Sequence, residues 1–120
     1  MFSVVIPAYN CEKTIERVLD SVMAQTRFDL ITEIIVINDG STDNTDAIIK
    51  DYIKRKQGNK INYIIQENHG VSYTRNKGIR IAEGEWIALL DSDDIWNPVK
   101  IERQYEVCLL YTSPSPRDRG

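Results

Sequence analysis

Three carboxylates fall within four consecutive residues at Asp91-Ser92-Asp93-Asp94. Acids this close repel one another unless a cation or hydrogen-bond donors offset the charge. A hard divalent ion such as Mg2+ or Mn2+, held by one or two carboxylates and otherwise by water and phosphate oxygens, suits such a cluster. The plainer alternative is an acidic loop that caps the next helix. An EF-hand is excluded, because its later ligands and its glycine at fixed spacing are absent.

Asp39, in the turn Asn38-Asp39-Gly40, is a second candidate. It serves either as a turn former or as an acceptor for a base N–H. His69 is the only histidine, a residue type suited to general base chemistry; beside Gly70 at a helix start, it fits a loop role better than that of a general base. Arg75 can neutralise phosphate or simply face solvent. Cys11, Trp86 and Trp96 read as packing residues. No glycine-rich dinucleotide fingerprint and no GxxxxGK[ST] loop occurs, which argues against nicotinamide dehydrogenases and P-loop NTPases. The absence of a Gly-x-Ser-x-Gly elbow argues against an α/β-hydrolase.

Alternating strands and helices must position these residues. Apolar, β-branched runs at 2–6, 33–37, 61–65 and 86–90 read as buried strands. The fourth is wholly apolar and is expected at the centre of the sheet. Helical periodicity marks 11–25, a second helix capped by Ser41 or Thr42 with Ala47, Ile48, Tyr52 and Ile53 inward, and 70–82 with Val71, Ile79 and Ala82 on one side. A last helix opens at Pro98 and runs to about 105. Strand–helix repeats of this length predict an α/β fold, with a Rossmann-like, mostly parallel sheet and helices on both faces. Ligands of such sheets bind at the carboxyl ends of the strands. The polar segments 7–10, 38–41, 66–70 and 91–94 all follow strands, so they converge on one rim.

The chain has 120 residues, 42% hydrophobic and 28% charged, with a net charge of -3. That is one domain with a real core, and it lacks the basic patches of nucleic-acid binders. No apolar run is long enough to span a bilayer, and residues 1–7 lack a signal peptide's basic start. Two cysteines make no disulfide framework, so the cytoplasm is the expected compartment, with attachment at the cytoplasmic face of the membrane left open. Residues 108–118 resemble a translated sequencing adapter of the transposase type. Residues 1–107 are therefore taken as the domain and 108–120 as a non-native tail, with the natural protein expected to continue past 107.

Val5-Ile6-Pro7-Ala8-Tyr9-Asn10, Ile35-Val36-Ile37-Asn38-Asp39-Gly40-Ser41-Thr42-Asp43, Arg75-Asn76-x-Gly78, Ala82-Glu83-Gly84-Glu85-Trp86 and Leu90-Asp91-Ser92-Asp93-Asp94 together resemble the family 2 glycosyltransferases, in order and at their usual distances. The resemblance covers residues 2 to about 106 and implies a GT-A fold, here its N-terminal donor-binding portion, incomplete. It implies that Pro7, Ala8 and Tyr9 lie along a nucleoside and that Asp39 hydrogen-bonds uracil. Asp91-Ser92-Asp93 resembles the DxD signature. Asp93 would hold Mn2+ or Mg2+ on the diphosphate, while Asp91 or Ser92 faces ribose, sugar or metal-bound water. Gly70 and Arg75 fall in the region flanking base and diphosphate. The implied reaction is inverting transfer from a nucleoside diphosphate sugar, a UDP-sugar first, to the hydroxyl of a glycan or lipid-linked acceptor in polysaccharide or glycoconjugate synthesis. The family's catalytic base lies in its second half, and nothing in this chain matches it. The competing readings are an inactive nucleotide-sugar-binding fragment and a nucleotidyltransferase of similar fold. The second lacks its glycine- and lysine-rich activation loop after the first strand.

Overall fold

The computed structural model of the chain describes residues 1–111. Its elements are β1 (Phe2–Ala8), α1 (Ile15–Met23), a 3-10 turn (Phe28–Leu30), β2 (Ile31–Asp39), α2 (Thr45–Arg55), β3 (Ile61–Gln66), α3 (Val71–Ile81), β4 (Trp86–Leu89) and α4 (Lys100–Tyr111). The strands form one parallel sheet in the order β3-β2-β1-β4, the α/β architecture the alternation predicts.

The sheet is sided by strand alternation. Phe2, Val4, Ile6 and Ala8 of β1, with Ile34 and Val36 of β2, enter the larger core, which α1, α2 and α4 cover through Ile15, Val18, Leu19, Val22, Ile49, Tyr52 and Ile101. Val5, Ile35 and Ile37 point the other way, into a smaller core closed by Ala82 after α3. β1 is buried along its whole length, which is why its run contains no polar residue except Ser3. Ser3 Oγ is satisfied by donating to Glu33 at 2.7 Å and accepting from the Gly84 N–H at 2.8 Å.

Several expectations change. β4 lies at an edge of the described sheet and pairs only with β1, and Leu89 is 47% exposed. Four consecutive apolar residues do not by themselves distinguish an edge strand from a central one; burial on both faces belongs instead to β1 and β2. α2 starts at Thr45 rather than at Ser41 or Thr42, because those two residues are held by Asn10. Its buried face is Thr45, Ile49 and Tyr52, and Ala47 is exposed. In α3 the buried residues are Thr74 and Gly78, while Val71 is 50% exposed. α4 starts after Pro98 and continues to Tyr111, with Cys108 packed in the larger core. Residues 112–120 of the expected tail lie outside the described residues. No helix among those described is long and apolar enough to cross a membrane.

Gly78 lets α3 lie directly on β1. A Cβ built there would sit 2.3 Å from Val5 Cγ1, on a side chain with no room to move. Gly78→Ala gains about 1 kcal/mol of helix propensity and incurs an overpacking penalty of about 1–3 kcal/mol. A net destabilisation is expected in urea unfolding. An unchanged or raised midpoint would contradict this packing.

Candidate functional site: a cleft at the carboxyl ends of the strands

The four loops that follow the strands enclose a cleft of about 890 Å³. Pro7, Ala8, Tyr9, Asp39, Gly70, Arg75, Asp91, Ser92 and Asp93, the residues singled out from sequence, all line it. Because β2 and β4 flank β1 on opposite sides, Asp39 and the acidic segment face each other across the end of β1.

Asp39 is only 3% exposed, yet its carboxylate is filled with donors. Oδ1 accepts from Gln66 Nε2 at 2.9 Å and the His69 N–H at 2.8 Å. Oδ2 accepts from the Gly70 N–H at 3.0 Å and Asn68 Nδ2 at 3.2 Å. Two lone-pair positions per oxygen are thereby used. Burial alone would push this carboxyl up, but the donors from Gln66, His69 and Gly70 outweigh it and hold the group below the usual carboxylate range. The role the hydrogen bonds give Asp39 reaches beyond its own turn: the carboxylate fixes the segment 66–70 that walls the cleft. Gly40 completes the fit, since a Cβ there would meet Asn68 N at 2.7 Å. Gly70, at φ +92, then turns the chain into α3. His69 contributes its backbone, while its ring lies 4.4 Å from that of Tyr73.

The loops after β1 and β2 are tied together as well. Asn10, at φ +47, donates its N–H to Ser41 Oγ and accepts from the Thr42 N–H. Glu12 N–H donates to Asp43, and Asn44 N–H donates back to Glu12. Cys11, a free and buried cysteine, donates its N–H to Thr45 Oγ1, and burial pushes its thiol up. These contacts escaped the sequence reading because they join residues more than 30 positions apart. Asn10 was visible as part of a polar loop, and its partners were not.

On the opposite side, Arg75 Nη2 donates to Asp91 Oδ1 at 2.7 Å, both residues being well exposed. Asp94 does not line the cleft, and its Oδ1 accepts from the Ile95 N–H. The acids do not cap α4 either, because the Ile101 N–H at its start goes to Gln25 Oε1. Among the described residues, no three His, Cys, Asp or Glu side chains come together as a metal cage. Two exposed carboxylates, Asp91 and Asp93, open on a cleft. That donor set fits Mn2+ or Mg2+ carried in with phosphate oxygens and water, the manner in which such ions are commonly held, and not an all-protein site.

Asp39 and Asp43 both sit below the ordinary carboxylate value, burial being outweighed by hydrogen bonds in each. A carboxyl depressed on folding adds stability above its unfolded pKa, near about 4, and loses it as pH falls through the folded value. Stability should thus hold from about pH 7 to 5 and decline below about pH 4. Asp39→Asn should cost about 1.5–3 kcal/mol at neutral pH and flatten part of the acid decline. Urea midpoints across pH check both, and a variant with the wild-type profile would contradict the donor count.

The glycosyl transferase family 2 profile matches residues 3–108. An uncharacterized glycosyltransferase of Nostoc sp. is 41% identical over 105 residues, covering 88% of this chain and 32% of its own length. The crystal structure of Staphylococcus aureus TarS 1-349 in complex with UDP-GlcNAc matches with a TM-score of 0.81 and 30% identity, over 93% of this chain and 32% of that one. The mannosyltransferase PcManGT of Pyrobaculum calidifontis, in complex with GDP-Man and Mn2+, matches with a TM-score of 0.74 and 27% identity, over 79% of this chain and 28% of that one. The chain thus spans about a third of the length of its relatives, and its sheet has the GT-A architecture. It belongs to glycosyl transferase family 2.

Proposed function

We propose that this chain forms the donor-binding part of an enzyme that transfers a sugar from a nucleoside diphosphate sugar to an acceptor hydroxyl. The donor is a UDP-sugar in this reading, and the acceptor is a glycan or lipid-linked molecule in polysaccharide or glycoconjugate synthesis. Transfer proceeds with inversion, in the cytoplasm or at the cytoplasmic face of the membrane. The observation that carries the reading is the single cleft in which Asp39 and its clamped loop face Asp91-Ser92-Asp93 across the end of β1. Relatives bound to UDP-GlcNAc or to GDP-Man with Mn2+ support it.

In this reading the base lies against Pro7, Ala8 and Tyr9, the last 49% exposed and free to cover a ring. A uracil N–H reaching Asp39 must displace one of its present donors. Asn68 Nδ2, at 3.2 Å the longest of them, is the one to yield. Gly70, at the start of α3, brings its helix N-terminus to the cleft, where backbone N–H groups favour an anion. A diphosphate competes with Asp91 for the Arg75 guanidinium, which frees Asp91 Oδ1. Asp93, with Asp91, holds the divalent ion, and Ser92 faces the ribose or sugar. When bound, the ion supplies positive charge against the developing charge of the leaving diphosphate. The match to the transferase family weighs against a nucleotidyltransferase. The share of its relatives' length that the chain spans makes binding without transfer the second reading for these 120 residues.

Calorimetry with UDP and Mn2+ tests the proposal. Asp93→Ala is expected to weaken Mn2+-dependent UDP binding at least about tenfold, equivalent to about 1.4 kcal/mol. UDP affinity in Mn2+ that survives this substitution would refute the assignment of Asp93.

A further inference from the structure

The Leu90 N–H donates to the Val5 carbonyl, and beyond it the acidic segment is held by its local turn, by the Arg75–Asp91 side-chain bond and by α1. Thr14 Oγ1 donates to the Ser92 carbonyl at 2.6 Å. About two turns further along α1, Ser21 Oγ accepts from the Trp96 N–H at 3.2 Å. Gln25 Nε2 donates to the Asn97 carbonyl at 2.8 Å and to the Ser21 carbonyl at 3.1 Å, and its Oε1 accepts from the Ile101 N–H at 2.9 Å. The Thr26 N–H closes the row on the Pro98 carbonyl at 3.0 Å.

Gln25 stands out within this row. It is 4% exposed, and both ends of its amide are satisfied. A buried amide carries a desolvation cost unless every polar atom is paired, and here the partners are all backbone groups: the Ser21 carbonyl on α1, and the Asn97 carbonyl and Ile101 N–H that follow Trp96. Trp96 itself is buried at 8% exposure and anchors the middle of the segment in the larger core. Gln25 does not line the cleft, so it cannot touch a donor sugar or its phosphates. Its oxygen also satisfies one of the N–H groups that α4 leaves unpaired in its first turn. The row thus ties α1 and Gln25 to the backbone at Ser92, Trp96, Asn97 and Ile101, which is continuous with Asp91 to Asp93.

We infer that Gln25 is a positioning residue: through α1 it sets the height of the 91–94 segment over the cleft, and with it the affinity for the metal–diphosphate end of the donor, not for the nucleoside end. This rests on the donor-binding reading above. The nucleoside end is lined by the 66–70 clamp on Asp39 and by the loop after β1, and none of Gln25's hydrogen bonds goes to either.

The test compares UDP binding with and without Mn2+, by calorimetry, for the 120-residue chain, Gln25→Met and Ser21→Ala. Gln25→Met keeps the side-chain length and removes the three hydrogen bonds. Ser21→Ala, at a half-buried position, removes the bond from the Trp96 N–H together with a local bond to the Val18 carbonyl, and keeps the test alive if the first variant does not fold. The expected result is a loss of about tenfold in the Mn2+-dependent gain of UDP affinity for Gln25→Met, and a smaller loss for Ser21→Ala, with metal-free UDP affinity within about twofold of wild type. Faster amide exchange at Trp96 and Ile101, with no change at His69 and Gly70, should accompany it. A uniform loss with and without Mn2+ would mean a merely structural role and overturn the inference. So would an unchanged Mn2+ gain in both variants, with the donor-binding reading left standing. If the wild-type chain shows no Mn2+ gain, the reading and this inference fall together.

Discussion

The site depends on one buried carboxylate that has no ion-pair partner among the described residues. Asp39 ends β2 inside the protein at 3% exposure and is neutralised by hydrogen-bond donors alone. Stripping a charge of water is affordable only when its lone pairs are filled, so the segment 66–70 has little freedom in where it lies. That constraint propagates. Gly70 starts α3, α3 places Arg75 one turn along, and Arg75 reaches across to Asp91. A single desolvated group at the end of one strand thus bears on a carboxylate at the end of another.

The same economy recurs around the cleft. The loops after β1 and β2 exchange backbone and side-chain hydrogen bonds through Asn10, Glu12, Ser41 and Asp43. The segment after β4 leans on α1 through Thr14, Ser21 and Gln25. Polar side chains here mostly hold backbone in place, and comparatively few remain free to meet a ligand. Tyr9, Gly70, Asp91 and Asp93 are the exposed ones among the residues expected to bind. A pre-arranged rim of this kind suits an anionic ligand that brings its own cation, because the protein then supplies shape and only two open carboxylates.

The architecture was legible because strand and helix periods are local properties of the chain. The convergence of the four polar segments followed from the parallel topology alone, and the cleft has the lining residues that reasoning named. What escaped were relations between distant residues. Nothing in Leu90-Asp91-Ser92-Asp93-Asp94 announces that Thr14 and Gln25 brace the backbone at and after it, or that Arg75 pairs with Asp91. The apolar run at Trp86–Leu89 could not reveal its place at an edge of the described sheet, since edge or centre is decided by what pairs with it. The inner face of α2 was misjudged at Ala47 because small residues carry weak facing information, whereas Ile49 and Tyr52 go inward by bulk. The start of α2 was misplaced because Ser41 and Thr42 have cap chemistry but are engaged by Asn10.

The account's central claim is that a nucleoside diphosphate and a divalent ion meet over Asp91-Ser92-Asp93, on the opposite side of β1 from Asp39. Paramagnetic broadening by Mn2+ in the amide NMR spectrum reads this directly, because the effect falls steeply with distance from the ion. In the presence of UDP, the account predicts selective loss of the amide signals of residues 91–94 and of the Arg75 side chain, with shifts but no comparable broadening at Asn68, His69 and Gly70. Broadening centred on Glu12 and Asp43, or spread evenly over surface carboxylates with or without UDP, would contradict it.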